Sequence, residues 1–557
     1  MAFGIDLGTT NSCVARIDEA GRAVIVKSAL GEDTTPSVVY FESAEHATVG
    51  RAAKNEALLA PELVAQLVKR DIGSGKEYTF HGRPHTPEMV SALILRELAG
   101  AAEENCGQVV RDVVITVPAY FGVAEREATR RAGQLADLNV LDVLAEPVAA
   151  ALHYRAVTAP GGGPAATTRY VLVYDLGGGT FDTTVIRLAG DDVSVVCTDG
   201  DRQLGGADWD RILADHLLAS FSAEHPRLRP QDDPAFMQDL LIGAERLKEE
   251  LSDASSRRYI IRFGGAVTQV ELTRDKLEEL TAGLLDRTVE VTRRTIETAR
   301  GQGAATFDDV LLVGGMTRMP VVTRVLKERL GLNARHHEPD LAVAKGAALY
   351  ALMRTVRPAG DGAIGGGPAG NRAGEGAAAS ALKSPERVAA DTGMTVEEVE
   401  RLARTRVATV VPRGFGVKSL DGSDPLALTD PLHARQLIVH LLPANTALPA
   451  DTGPFSFLTS TVNQRMVGIE VWEQAGEWES EDPAENRRIG NGLLKNLPPR
   501  LPMGTLIEVT FFMSETGLLT VRATQPDSGA ELQFDLQIGD LDKAGMDKAR
   551  RSLAAYQ

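Results

Sequence analysis

Three cysteines in 557 residues, Cys13, Cys106 and Cys197, leave no basis for a disulfide framework. Their odd number and lack of metal-ligand spacing argue for a reducing compartment. Positive charge is also short: 59 Lys and Arg face 76 Asp and Glu, a formal charge of −17 that excludes a wide nucleic-acid footprint. No run of 18 or more apolar residues occurs, which excludes a membrane-spanning helix. The opening MAFGIDLGTTNS has no basic leader followed by an apolar stretch, so no secretory signal is expected and the expected location is cytoplasmic.

What is present is ordinary for a soluble globular protein, with 43% hydrophobic and 24% charged residues, and the length exceeds one core. Up to about residue 355, β-type runs alternate with helical stretches. Residues 110–121 read as a buried strand ending in a turn at Pro118, and 169–190 as two strands joined by a glycine turn. Residues 308–331 read as a strand, a glycine turn and a helix. This mixture predicts α/β layers. Residues 358–382 are Gly/Ala-rich and read as a linker. A short helical patch follows at 384–406, where Thr395 and Glu398 have capping-box spacing and Val396, Val399 and Leu402 form a narrow apolar stripe. From 407 to 540, short β-rich runs separated by turn signals predict an all-β sandwich or open barrel. The stretch 541–557 reads as one helix.

Two segments carry the strongest chemistry: GIDLGTTNS, with Asp6, Gly8, Thr9 and Thr10, and YDLGGGTFD, with Asp175, Gly177, Gly178, Gly179, Thr180 and Asp182. Each places an aspartate at a strand end, followed by a glycine turn with threonine. Glycine lets backbone N–H groups approach phosphate oxygens closely, and threonine adds a hydroxyl donor. Asp6, Asp175 and Asp182 can then hold magnesium mainly through its waters, because that ion dehydrates reluctantly. Neither segment fits G-x-x-x-x-G-K-[ST], so this is not a P-loop. Gly314 and Gly315 add a third glycine strand-turn in the same order.

These residues resemble the heat-shock 70 kDa protein family, the DnaK-type chaperones. GIDLGTTNSCVA, VVITVPAYF, EPVAAALHY, DLGGGTFDTTV, LGGADWD and LLVGGMTRMP occur in family order over residues 1–355. The resemblance implies an α/β actin-like two-lobed ATPase domain over 1–355, a linker over 356–406 and, over 407–540, an all-β sandwich like the family's peptide-binding domain. It implies ATP and ADP as ligands with Mg2+, and hydrolysis to ADP and phosphate. Residue by residue, Lys69 matches the lysine that orients the attacking water, with Glu146, Asp175 and Thr180 beside it. Glu245, Lys248 and Ser252 match the adenosine-binding helix, and their spacing puts them on one face. Gly314, Gly315, Arg318 and Asp340 match the rest of the adenosine pocket. Pro118 and Arg126 match positions that relay nucleotide state. Val417, Leu420, Leu458, Thr461, Val467 and Ile469 match the cleft that receives extended hydrophobic peptides. A nucleotide-exchange factor is a further partner of the family.

Three departures from the relatives matter most, and two smaller ones follow them. Only 17 residues follow residue 540, so the family's helical lid is not expected, which predicts fast peptide exchange. The short leucine-rich linker is replaced by the insertion and RVATVVPRGF, in which Val407, Val410 and Val411 are the candidate substitutes. Asp142 stands where many relatives have arginine, which argues against an ordinary J-domain partner. Met316 replaces a common serine, and Glu249 an arginine of some relatives. Cys13 reads as a buried structural thiol rather than a redox sensor. The patch RVAADTGMTVEEVERLA has a faint helix-turn-helix look, but its acidic second helix argues against DNA. The leading function is an ATP-driven peptide-binding chaperone. The alternative is a nucleotide-sensing scaffold whose β-domain holds one dedicated protein partner. A sugar kinase finds no sugar-binding segment, and a filament leaves the β-domain without a role.

Overall fold

The computed structural model describes residues 2–158, 168–356, 382–427, 429–476, 478–515, 517–536 and 543–556. The expected linker at 358–382 lies outside them except for Leu382. Two mixed sheets, one at the centre of each of two lobes, organise the first 356 residues, with one later strand added at the edge of the second, and they repeat one plan. In the first, strands run in the order Asn139–Ala145, Asp112–Val117, Ala2–Asp6, Asn11–Ile17, Ala23–Val26. In the second the order is Ala334–His336, Asp309–Val313, Arg169–Leu176, Phe181–Ala189, Asp192–Asp201, Arg406–Ala408. In each, a strand with aspartate at or next to its last residue pairs antiparallel with its successor and parallel with a later strand. Asp6 therefore faces Cys13 across its hairpin, and Asp175 faces Asp182.

Between the sheets lie two alanine-rich helices, Glu146–Thr158 and Ala342–Thr355. Small side chains let them meet at backbone distance. A Cβ at Gly346 would fall 1.8 Å from the Ala149 carbonyl oxygen, so only glycine fits there. The helices share one core with Val114 of the first sheet and with Val171, Val173 and Leu311 of the second.

Val356 bridges to Lys383, whose N–H donates to Thr355 O at 2.9 Å, so the chain leaves the described structure and rejoins it at adjacent points. The helical patch resolves into two helices, Pro385–Thr392 and Val396–Arg404. Gly393 ends the first at φ 66°, and a reciprocal Thr395–Glu398 capping box opens the second. Val388, Ala389 and Val399 are buried against Ala15, Ile17, Leu349 and Leu352 of the first lobe, while Val396 stays 38% exposed. Packing thus takes up only part of the predicted stripe.

The chain then crosses to the second lobe. Val407 lies in the edge strand Arg406–Ala408, which pairs parallel with Asp192–Asp201. Val410 is buried in the core between the sheets, and Val411 in that of the following β-rich region. There, one antiparallel sheet has the order Gln436–Leu442, Phe415–Leu420, Val467–Gln474, Asn486–Leu494. A second runs Ala450–Asp451, Leu506–Met513, Leu519–Gln525, Ala530–Leu536, with Phe455–Leu458 paired to Leu506–Met513. Alternation decides which side chains meet: Leu519, Val521 and Ala523 turn inward to Ile507, Val509, Phe511 and Met513 and to Val471 of the other sheet.

This region docks on the first lobe through buried ions. Glu125, 3% exposed, lies 3.8 Å from Arg413 and 3.4 Å from Arg487, and Arg202 is 3.5 Å away. Burial works against its charge, but Arg413 and Arg487 hold its carboxyl below the usual range. Glu473 is fully buried, accepts from Val123 N at 3.1 Å and pairs with Arg487 at 2.9 Å. The helix Lys543–Leu553 returns to the first lobe as well, burying Ala549 and Leu553 in a cluster with Phe41 and Phe80. Tyr556, just beyond it, reaches His85 Nε2 at 2.7 Å. Among the described residues, no helix is long and apolar enough to cross a membrane.

Candidate nucleotide site

The two lobes enclose a cavity of about 950 Å3. Its floor is the pair of glycine turns. In the first, Gly8 N donates to Ser12 Oγ at 3.1 Å and Ser37 Oγ donates to Gly8 O at 2.8 Å. In the second, Gly177 N donates to Thr180 O at 3.0 Å, closing the turn between Arg169–Leu176 and Phe181–Ala189. The turns touch each other across the lobes. A Cβ on Gly178 would meet Thr10 Oγ1 at 2.3 Å, and one on Gly179 would meet Thr9 Cγ2 at 2.2 Å. Glycine is required here by close approach, not by left-handed backbone.

Four carboxylates converge behind these turns, and all four side chains are buried or nearly so. Asp6 accepts from Thr116 Oγ1 at 3.1 Å. Its carboxyl is pushed up to about 7 by burial and by the charge of Glu146. Asp175 rises well above the carboxylate range for the same reasons, with Asp182 and Asp6 adding repulsion. Burial and Glu146 also raise Asp182, although the Ala119 and Tyr120 amides favour its charged form. Its Oδ1 has no hydrogen-bond partner. Lys69 enters from the turn Val68–Asp71 and meets Glu146 at 2.5 Å, both side chains being buried. One ammonium among four crowded carboxylates leaves negative charge unpaired, and an oxygen donor set of this kind fits magnesium. Among the described residues, no group of three or more His, Cys, Asp or Glu side chains is placed to hold a metal ion directly.

The outer wall comes from the second lobe. Glu245, Lys248 and Ser252 all line the cavity from the helix Pro234–Asp253. Gly314 and Gly315 follow the strand Asp309–Val313. Gly314 takes φ 83°, and a Cβ there would sit 2.3 Å from Leu176 O. Arg318 and Asp340 pair with each other at the rim. Met316 and Glu249 line the same wall. The structure therefore brings Asp6, Gly8, Thr9, Thr10, Lys69, Glu146, Asp175, Gly177, Gly178, Thr180 and the whole expected adenosine set to one cavity. Gly179 and Asp182 are not on its wall: Gly179 backs onto Thr9, and Asp182 is turned to the Ala119 amide at 3.2 Å.

Several residues at the cleft carried no assigned role in the sequence. Asp210 pairs with Lys248 at 2.7 Å and is pushed up to about 6 by burial, despite that lysine. Lys54 of the first lobe closes on Glu245 at 2.7 Å across the cleft. Asn11, Asp33, Thr34 and His336 also line the cavity. Cys13 does too, but burial pushes its thiol well up, as a structural role requires. Arg126, matched to a relay position, donates to Phe121 O at 3.1 Å and Val143 O at 3.3 Å. Asp142 accepts from the Tyr350 hydroxyl at 3.0 Å and lies 3.8 Å from both Arg130 and Arg354, so its charge is largely compensated within the chain.

The six residues matched to a peptide cleft are not brought together in this way. Val417 and Ile469 are 3% and 6% exposed and belong to the core between the β-sheets, where interlocking leaves them no surface for a ligand. Leu420 and Val467 are half-buried. Leu458 is 68% exposed and Thr461 is exposed beside it, near the exposed Val462 and Met466. A family model described as Hsp70 protein matches the chain over residues 2–81 and 74–357.

Proposed function

The chain belongs to the Hsp70 protein family, and from that premise we propose that it is an ATP-dependent chaperone. In this reading the cleft hydrolyses ATP to ADP and phosphate, and a β-sandwich beyond it binds extended hydrophobic peptide. The observation that carries the reading is the pair of glycine turns meeting across the lobes, with Lys69 held by Glu146 beside them.

The backbone N–H groups of the two turns and the hydroxyls of Thr9, Thr10 and Thr180 would cradle the phosphates. Glu245, Lys248, Ser252, Arg318 and Asp340 would hold the adenosine. Lys69, fixed by Glu146, would orient the attacking water in line with the γ-phosphoryl group. Such transfers depend on position and charge stabilisation rather than covalent chemistry. Bound magnesium would supply charge neutralisation at the phosphates, with Asp6, Asp175 and Asp182 holding its water shell.

The nucleotide end reaches the β-rich region by a short route. Asp182 accepts from the Ala119 amide at 3.2 Å, and the neighbouring Tyr120 carbonyl accepts from Arg413 at 3.1 Å, at the entry to the β-rich region. A change at Asp182 would thus be felt at Arg413 and its partner Glu125. The placement of Val417 and Ile469 in the core favours a second reading, in which the exposed rim around Leu458 holds one dedicated protein partner and the cleft serves as a nucleotide sensor.

Equilibrium ATP binding and single-turnover hydrolysis by the purified chain test the proposal. Binding with slow, magnesium-dependent hydrolysis is expected. Binding without hydrolysis would leave the sensor reading, and no binding would sink both.

A further inference from the structure

We propose that Arg70 is a positioning residue for hydrolysis: it locks the turn carrying Lys69, in the first lobe, to the phosphate loop and the supporting helix of the second. Arg70 follows Lys69 in the turn Val68–Asp71. The turn is entered from Leu67 at φ 58°, left-handed backbone that leucine takes only when its surroundings impose it. Lys69 stays within its own lobe, on Glu146. Arg70 reaches across. Its Nε donates to the Gly179 carbonyl at 2.8 Å, while Nη1 and Nη2 donate to the two Asp208 oxygens at 3.2 and 2.5 Å. The Arg70 and Asp208 side chains are only 12% and 16% exposed.

Asp208 lies in the first turn of the helix Gly206–Glu224, and its carboxylate also accepts from Gly205 N at 2.9 Å. Gly205 backs directly on Gly179, where an added Cβ would sit 2.5 Å from the Gly179 nitrogen. Gly206 and Ala207 donate to the Gly177 and Gly178 carbonyls at 3.0 and 2.8 Å. One guanidinium therefore grips both the phosphate loop and the helix start on which that loop hangs. Arg70 does not line the cavity, so it acts through Lys69 and Gly179 rather than on ATP. The planar fork matters, because two parallel N–H donors meet the carboxylate while Nε–H stays free for the carbonyl, a spread of donors that a single ammonium nitrogen does not reproduce. A displacement of about 1 Å at such a site costs on the order of 100-fold in rate.

The inference rests on the reading that Lys69 orients the water, so hydrolysis and geometry are measured separately in the full chain. Arg70→Met and Arg70→Lys are expected to hydrolyse bound ATP at least about tenfold more slowly in single turnover, with ATP affinity within about threefold of the parent. Asp208→Asn should behave alike, and millimolar guanidinium ion should restore part of the rate of Arg70→Ala. Amide hydrogen exchange needs no hydrolysis: Arg70→Met should speed exchange in 67–72 and 177–181 together while leaving 240–253 unchanged. Full activity of Arg70→Lys, or equal losses of rate and affinity, overturns the assignment. If the parent chain binds ATP without hydrolysing it, the water-orienting reading falls, and unchanged protection of both segments would remove the tie as well.

Discussion

The nucleotide cleft and the β-rich region bury their side chains on opposite terms. In the cleft, Asp6, Glu146, Asp175 and Asp182 are buried around one lysine, and three of the four carboxyls are pushed up by burial and mutual repulsion. In the β-rich region, Val471, Val509, Phe511 and Val521 are essentially inaccessible and satisfy one another. Buried polar groups with unmet demands mark the place of a guest, whereas apolar side chains alternating along strands mark a core. The contrast explains why family-matched residues line a cavity in one region and, in the other, divide between a closed core and an exposed rim.

The largest effect expected on the cleft side is that of Lys69→Ala. Removing the ammonium proposed to orient the water should slow single-turnover hydrolysis by on the order of 100-fold or more while ATP affinity stays within a few-fold. Rapid quench and equilibrium binding read the two separately. A matched loss of binding would mean that Lys69 holds the nucleotide rather than positions the water.

The glycine turns could be read in the sequence because their requirement is local: an aspartate at a strand end, then glycine and threonine. The capping box at Thr395 and Glu398 was readable for the same reason. The β-rich character of 407–540 was readable from short β-type runs and the turn signals between them. What could not be read depends on distant partners. Nothing near Arg70 announces Asp208, nothing near Lys54 announces Glu245, and nothing in a Gly/Ala-rich stretch says that Val356 and Lys383 will adjoin. The docking of 385–404 on the first lobe and of Tyr556 on His85 belongs to the same class. Val417 and Ile469 show the converse: an apolar residue in a strand fits a cleft and a core equally well until the facing sheet is known.

Where the two regions meet, Glu125→Ala would remove the buried carboxylate that faces Arg413 and Arg202 and leave Arg487 to Glu473 alone. Breaking buried ion pairs from one side costs about 3–5 kcal/mol, so the β-rich region should loosen from the first lobe. Faster amide exchange at 406–413 would report it, and unchanged exchange would mean that apolar contacts alone hold the regions together.

Within the β-rich region the comparison can be sharpened by two substitutions. Ile469→Ala should cost about 2–5 kcal/mol of stability as a core truncation, whereas Leu458→Ser should change stability by less than about 0.5 kcal/mol. Denaturant unfolding measures both. If peptide or a partner binds at the exposed rim, affinity should fall with Leu458→Ser in a fold that is otherwise intact.

The smallest effect concerns the helix Lys543–Leu553. His85 Nδ1–H faces the Arg83 carbonyl at 3.0 Å, which leaves Nε2 to accept from the Tyr556 hydroxyl at 2.7 Å. Burial holds this imidazole below its usual range. The undocked state therefore takes up a proton near pH 6.5, before the docked state does, and docking should weaken as pH falls below about 6.5. Amide exchange of 543–556 at pH 7.5 and 5.5 tests this, and His85→Phe should remove the dependence.

The central claim is that the cleft and the β-rich region form one ATP-driven machine. Its most direct test is the ATP turnover of the full chain, measured alone and with a panel of short hydrophobic peptides of unrelated sequence. Slow basal turnover accelerated by many of the peptides is the predicted result. Turnover indifferent to every peptide would contradict it and leave a nucleotide-binding protein whose β-rich region serves some other partner.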